Sequence, residues 1–149
     1  MRKYIWSIVI VLGLVLAVTT VDAVTVHETT GKGAFMDPKS GNINSVQFKA
    51  GVDQTGTVFG ETQDVISQPG ANLKFHGNVT CFVFTSPNTA EFGGVITSSS
   101  DPSLVGMFYV VEVIEDSPDQ IAIEITNKPV TCNVHLQTVP LLRGDLHVS

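Results

Sequence analysis

The chain has 149 residues, with 8 basic and 14 acidic side chains and a net charge of −6, which is the size of one domain with a substantial core. Its few cations are scattered along the sequence, whereas binding a nucleic-acid backbone requires clustered Lys and Arg. The composition therefore argues against a nucleic-acid partner.

The first 23 residues have the pattern of an export signal. Two cations follow Met1, an apolar run extends from Ile5 to Val18, and the small residue Ala23 ends the segment. We predict a hydrophobic signal helix over residues 1–23, cleaved after Ala23, and a secreted or cell-surface protein. Retention of this helix as a membrane anchor is the alternative, although the run is shorter than the roughly 20 residues that a bilayer requires.

Cleavage leaves residues 24–149, with 6 basic and 13 acidic side chains and a net charge of −7. Residues 24–33 are rich in Thr and Gly, and we predict that they form a flexible or extended lead-in. Residues 34–149 then form a single domain.

The two cysteines, Cys81 and Cys132, both lie in the exported part. In an oxidising compartment an isolated pair most simply forms one disulfide. Closing this loop of about 50 residues stabilises the fold by roughly 4 kcal/mol in the chain-entropy model. Free thiols and a zinc site are the alternatives, and the CxxC spacing typical of zinc sites is absent from the sequence.

Apolar and polar residues alternate in several segments after Val24, and no segment has a helical period. The alternating segments are residues 46–50, 73–83, 121–125 and 142–148. A period of two predicts strands with one face on the core and the other in water. The run from Met107 to Ile114 is apolar on both sides, which predicts a central strand that is covered on both faces or meets another segment.

Clusters of Pro, Gly, Asn and Asp separate these segments at short intervals and predict turns. Many short strands at this spacing predict an all-β antiparallel fold of about eight or nine strands, either a β-sandwich or a flattened barrel.

Three stretches carry a resemblance to known proteins. Gly77–Cys81 reads G-x-V-T-C, Asn88–Gly94 reads N-x-A-x-x-G-G, and a Gly-led strand ends the chain at Gly144–Val148. In these features the chain resembles small secreted β-rich extracellular domains of the post-COAP-1 type, found in bacteria and archaea. The resemblance covers most of residues 33–149 and implies a compact antiparallel domain, usually without an assigned reaction.

Histidines are the first candidates for a metal site. The four are His27, His76, His135 and His147. They show neither HxH nor HExxH spacing, so nothing in the sequence brings two imidazoles together, and we expect them to face solvent.

Glu115, Asp116 and Asp119 form the densest acidic cluster. Carboxylates are the hard oxygen ligands that calcium prefers, but this spacing lacks the alternation and central Gly of a calcium loop. We interpret the cluster as a polar hairpin turn and predict neither a metal nor another cofactor.

Carboxylate pairs could also catalyse sugar hydrolysis. Glu91, Glu112 and Glu124 fall on predicted strands, and a glycosidase requires two acids about 5–10 Å apart. The sequence does not pair them, and it lacks the G-x-S-x-G motif and an electropositive setting for either cysteine. We predict no catalytic residue and a non-enzymatic protein.

Two surface features remain. Asn78-Val79-Thr80 is the sole N-glycosylation sequon of the exported part, and the alternation predicts that Asn78 faces water. The same alternation puts Phe82 and Phe84 on the water-facing side, where they form either a contact patch or a surface covered by a second sheet.

Together these features predict a secreted, non-enzymatic structural, adhesive or binding module of the cell exterior, whose partner is a protein or a cell-surface polymer. One alternative is a homo-oligomeric filament subunit, in which residues 24–36 add a strand to a neighbour's sheet. A less favoured alternative is an extracellular polysaccharide hydrolase. Contact with a membrane is expected only if the leader stays uncleaved.

Overall fold

The computed structural model describes residues 27–149, which form nine strands and one short 3-10 turn, Pro102–Leu104. The predicted signal helix and its cleavage site lie outside the described residues. The strands are β1 (His27–Met36), β2 (Ile43–Val52), β3 (Val58–Gln68), β4 (Ala71–Ser86), β5 (Thr89–Ser99), β6 (Phe108–Ile114), β7 (Gln120–Thr126), β8 (Val139–Pro140) and β9 (Arg143–Val148). Within this part of the chain, no helix has the length and apolar character needed to cross a membrane.

All nine strands belong to one antiparallel sheet in the order β8-β7-β6-β5-β4-β3-β2-β1-β9. The sheet curls into a half-barrel. The curvature brings the ring centroids of Phe48 on β2 and Phe92 on β5 to 4.9 Å from each other, although β3 and β4 lie between these strands. The predicted all-β antiparallel fold and its number of strands are confirmed. Of the two predicted architectures, the two-layered sandwich is not formed and the single curled sheet is nearer to the flattened barrel. Strand twist accumulates across one sheet until its ends approach each other.

The concave face of the curled sheet holds the core. Alternate residues of each strand point inward, as the period of two predicts. The buried apolar members are Phe35, Val46, Phe48, Ala50, Phe75, Val79, Ala90, Phe92, Ile96, Tyr109, Val111, Val113, Ile121, Leu146 and Val148. We call the opposite, convex side of the sheet the outer face.

A β-bulge at Thr80 reverses the alternation of β4. Val79 pairs with Gly94 and Cys81 with Gly93, so Thr80 has no partner on β5. Residues 81–84 therefore point to the side opposite to the one predicted, up to a second register shift between Phe84 and Ser86. Gly94 is needed here, because a Cβ at this position would overlap the carbonyl oxygen of Asn78.

The bulge corrects the prediction for Phe82 and Phe84. Phe82 pairs with the buried Phe92, and both Phe82 and Phe84 are half-buried and pack against the core rather than on the outer face. Their rings contact each other edge to face at 5.1 Å. Phe84 also contacts the His27 ring at 5.3 Å, at one end of the half-barrel.

Strand β6 is buried on both faces, as its apolar run predicts. All five residues from Tyr109 to Val113 are buried. The odd-numbered ones point into the core, and the even-numbered ones lie beneath residues 127–138, the connection between β7 and β8. We call this connection the strap.

The last segment of the chain joins the two ends of the sheet. β8 pairs with β7 at one end, and β9 pairs with β1 at the other. The acidic turn between β6 and β7 completes the closure, because Asp119 Oδ2 accepts from Leu146 N at 2.9 Å and Glu115 Oε2 accepts from Val148 N at 2.7 Å. These two carboxylates thus accept the β9 hydrogen bonds that a neighbouring strand would otherwise accept.

Part of the predicted flexible or extended lead-in is extended and belongs to the sheet. Residues 27–33 form the first part of β1. From Thr29 to Ala34 this strand pairs with β2 on one side and with β9 on the other.

Polar side chains are buried within the core between β2, β3 and β6. Asn44 Nδ2 donates to Asp64 Oδ2 at 3.1 Å, and Asp64 is only 1% exposed. Burial raises the pKa of Asp64 from 3.8 to about 7, because a low-dielectric interior disfavours the charged carboxylate. Burial likewise raises the pKa of Tyr109 to about 12.

Asp64 should make the fold more stable in acid than at neutral pH. Its folded pKa lies above the unfolded value of 3.8, so this contribution is fully present below pH 3.8 and is lost as pH rises through about 7. The difference between the folded and unfolded pKa of Asp64 corresponds to roughly 4 kcal/mol in the free energy of unfolding. Urea unfolding of wild type and Asp64→Asn at several pH values isolates the contribution of Asp64. The other titrating groups cancel in the difference between the two free energies of unfolding. The free-energy gain of Asp64→Asn over wild type should grow between pH 4 and pH 8, and a constant difference would contradict the assignment.

Removing the Asp119 carboxylate should loosen the closure of the sheet. Asp119→Ala leaves the N–H of the buried Leu146 without its acceptor, at a cost of about 1–3 kcal/mol in the free energy of unfolding. Asp116→Ala in the same turn is the control and should change stability by less than about 0.5 kcal/mol. Equal losses in the two variants, measured by urea unfolding, would show that the carboxylate does not hold β9.

Candidate functional site

The outer face of strands β9, β1, β2, β3 and β4 carries polar side chains in register. Residues directly opposite each other on antiparallel strands project to the same side. One such row crosses all five strands and consists of Asp145, Lys32, Gln47, Gln63 and His76. The next row consists of Arg143, Ala34, Ser45, Val65 and Lys74.

A shallow groove of about 440 Å³ lies between these two rows. Its floor is low because small residues occupy the middle of the sheet there, namely Ala34, Ser45 and the backbone of Gly33 and Gly144. Longer side chains form its rim: Lys32, Gln47, Gln63, Val65 and Arg143. We call this feature the outer groove.

The charge of the outer groove is opposite to that of the chain. Two of its ten lining residues are cations and none is acidic. Within residues 27–149, neither Lys32 nor Arg143 has a carboxylate oxygen within 4.0 Å, whereas Lys49 and Lys39 form ion pairs with Glu28 and Glu124. The rim therefore presents two exposed cations beside two amides that both donate and accept hydrogen bonds.

The four histidines do not come together. His76 lies on the outer face, where Nε2 is 3.1 Å from Glu61 Oε2 and Nδ1 is 3.2 Å from Thr97 Oγ1. His135 and His147 lie 3.8 Å and 3.5 Å from carboxylate oxygens of Glu112 and Glu115. Within the described part of the chain, no three His, Cys, Asp or Glu side chains are grouped as metal ligands.

Glu91 and Glu112 anchor the strap. They pair directly on β5 and β6, and both are buried, at 0% and 5% exposure. Glu91 accepts hydrogen bonds from Asn133 N at 2.7 Å and Val134 N at 2.9 Å. Glu112 accepts from Leu136 N at 2.6 Å. These carboxylates face the backbone of the strap rather than an open cleft, while Glu124 lies exposed beside Lys39.

The predicted disulfide anchors the same strap. Cys81 of β4 and Cys132 of the strap are bonded, with Cα atoms 5.7 Å apart. Gly93 lies beneath the strap near Val130, whose side chain an added Cβ would touch at 3.1 Å. One covalent bond and two buried carboxylates thus hold an irregular segment flat against the sheet.

Asn78 is exposed on the outer face of β4, as the alternation before the bulge predicts. It pairs with Glu61 on one side and with Val95 on the other, so it lies in the middle of the sheet. Its glycosylation stays a prediction, as does a contact role for Phe82 and Phe84.

The outer groove was not found from the sequence. The alternation does predict that Gln47 and Arg143 face water, but the sequence places Lys32 in the predicted lead-in. The groove exists because β1 pairs with both β2 and the last strand, β9, and the register between strands so distant in sequence has no local signal.

No family model matches the chain, and searches of curated proteins and of solved structures found no significant match. The resemblance to the post-COAP-1 type of domain therefore stays a prediction.

Removing the Glu91 carboxylate should destabilise the fold markedly. Glu91→Ala leaves two backbone N–H groups of the strap without an acceptor and opens a cavity, which together cost about 3 kcal/mol or more. The control is Glu124→Ala, which removes an exposed ion pair worth less than about 1 kcal/mol. Urea unfolding at neutral pH measures both, and a loss at Glu91 no larger than that at Glu124 would contradict the anchoring role.

Proposed function

We propose that the protein is a secreted, non-enzymatic binding module of the cell exterior that attaches through its outer groove. The proposal rests on Lys32 and Arg143, two cations that form no ion pair within residues 27–149. Both lie on the rim of a groove without acidic lining residues. In a chain with a net charge of −6, such a site favours a ligand with acidic or hydroxyl groups.

The placement of the buried carboxylates supports binding rather than turnover. A glycosidase needs one acid to donate a proton and a second to face the sugar across a cleft. Glu91 and Glu112 instead accept backbone hydrogen bonds beneath the strap. The disulfide between Cys81 and Cys132 is compatible with an oxidising, extracellular location.

The pairing of β1 disfavours the filament alternative. A donor strand must leave its own domain to complete a neighbour's sheet. In this fold such a departure would break ladders with both β2 and β9 and uncover the core.

Filling the outer groove should weaken attachment. The secreted protein, recovered from the medium and fluorescently labelled, is titrated onto the surface of the cells that produce it. Ser45→Trp places an indole over the floor and should weaken binding by at least about 10-fold, which is 1.4 kcal/mol. Gln54→Trp, in the exposed turn between β2 and β3, is the matched control and should bind like wild type.

Two outcomes would contradict this function. Undiminished binding by Ser45→Trp, with thermal unfolding unchanged, would show that another surface attaches the protein. Release of reducing ends from a panel of polysaccharides, lost in Glu112→Gln, would identify a hydrolase instead.

A further inference from the structure

We propose that the outer groove recognises a carboxylate-bearing sugar, that is, a uronic-acid unit of an acidic polysaccharide. This inference rests on the proposed function, because it names the ligand of the same groove.

The two cations are positioned to share one carboxylate or two neighbouring ones. Arg143 pairs directly with Ala34, and Lys32 lies two residues from Ala34 on β1. Diagonal neighbours of this kind are about 7–8 Å apart at the backbone, within reach of two long side chains. The planar guanidinium of Arg143 can donate two parallel hydrogen bonds to a carboxylate, and Lys32 adds a second positive charge.

The remainder of the groove suits the body of a sugar ring. Gln47 and Gln63 are directly opposed on β2 and β3, and each amide can both donate to and accept from a hydroxyl group. Between them and Arg143, the floor formed by Ala34 and Ser45 is small and flat, and Val65 adds an apolar edge. A ring with an apolar face and hydroxyl groups on its rim matches this arrangement.

The same groove is a poor site for an acidic peptide. An extended peptide gains affinity by adding a strand to an open sheet edge, but the groove lies on the face of the sheet. At the nearby edge, Asp119 and Glu115 already accept from Leu146 N and Val148 N of β9. Peptide anchors also require a deep pocket for a large side chain, whereas this floor is shallow. Two cations are too few for a nucleic acid.

Asp145 modulates the charge of the groove. It pairs with Lys32 at the outer end of the polar row and is exposed. No ion pair within 4.0 Å joins the two among the described residues, so Lys32 stays available. The Asp145 carboxylate still lowers the local positive potential. Neutralising it should therefore strengthen the binding of an anionic sugar.

The test compares three uronate polymers with one polymer whose carboxylates are masked. Affinity electrophoresis and calorimetry of the full secreted protein use polygalacturonate, alginate and hyaluronate. Methyl-esterified polygalacturonate, whose carboxylates are masked, is the neutral control. At least one uronate polymer should bind, and the ester should not. Arg143→Gln and Lys32→Gln should each weaken binding about 10-fold, the loss of a charge-assisted hydrogen bond, and Asp145→Asn should strengthen it.

The control variant is Lys128→Gln, which removes an exposed cation from the strap and should bind like wild type. Equal binding to the esterified polymer, or no effect of Arg143→Gln, would overturn the proposal. Full competition by poly-glutamate would assign the groove to acidic peptides. If no uronate polymer binds while Ser45→Trp still weakens attachment to cells, the ligand proposal fails and the binding function stands. If Ser45→Trp has no effect on cells either, both fail.

Discussion

Carboxylates that bind backbone N–H groups hold this fold closed. Five N–H groups of the last quarter of the chain donate to four acidic side chains, Glu91, Glu112, Glu115 and Asp119. A buried or edge N–H without an acceptor costs as much as a lost hydrogen bond, so irregular segments need such partners. These acids supply the acceptors for the strap, which the Cys81–Cys132 disulfide also holds, and for the side of β9 that has no neighbouring strand.

This use of acidic residues changes how their chemistry is interpreted. Buried carboxylates, and acidic clusters on turns, are ordinarily the first candidates for catalysis or calcium binding. Here Glu91 and Glu112 are buried because they accept hydrogen bonds from backbone N–H groups of the strap. Glu115 and Asp119 are clustered because both accept hydrogen bonds from the backbone of β9. The cations Lys32 and Arg143 lie on the outer face, with no carboxylate oxygen within 4.0 Å among residues 27–149.

Much of the fold could be predicted from the sequence, because strand periodicity is local. The period of two located most strands, and the apolar run around Val111 correctly indicated a strand covered on both faces. The alternation fails for residues 81–84, because the inserted residue Thr80 reverses the side chains that follow it. Nothing in the sequence around Phe82 marks that insertion.

The candidate site was less predictable than the fold. It combines Arg143 near the end of the chain with Lys32 near the start of the described residues and with amides from two strands between them. Its existence depends on curling and on the pairing of β1 with β9, which are global properties. Periodicity indicates which side chains face water, but not which of them become neighbours.

The pairing of the first strand with the last also has a consequence for biogenesis. Glu28 and Ser149 exchange backbone hydrogen bonds although they are 121 residues apart in sequence. A chain emerging from the ribosome starts folding at its amino-terminal end, yet here β1 lacks its second neighbour until β9 has been synthesised. The sheet can therefore reach its full set of strand pairs only after β1 has waited for every strand between it and β9.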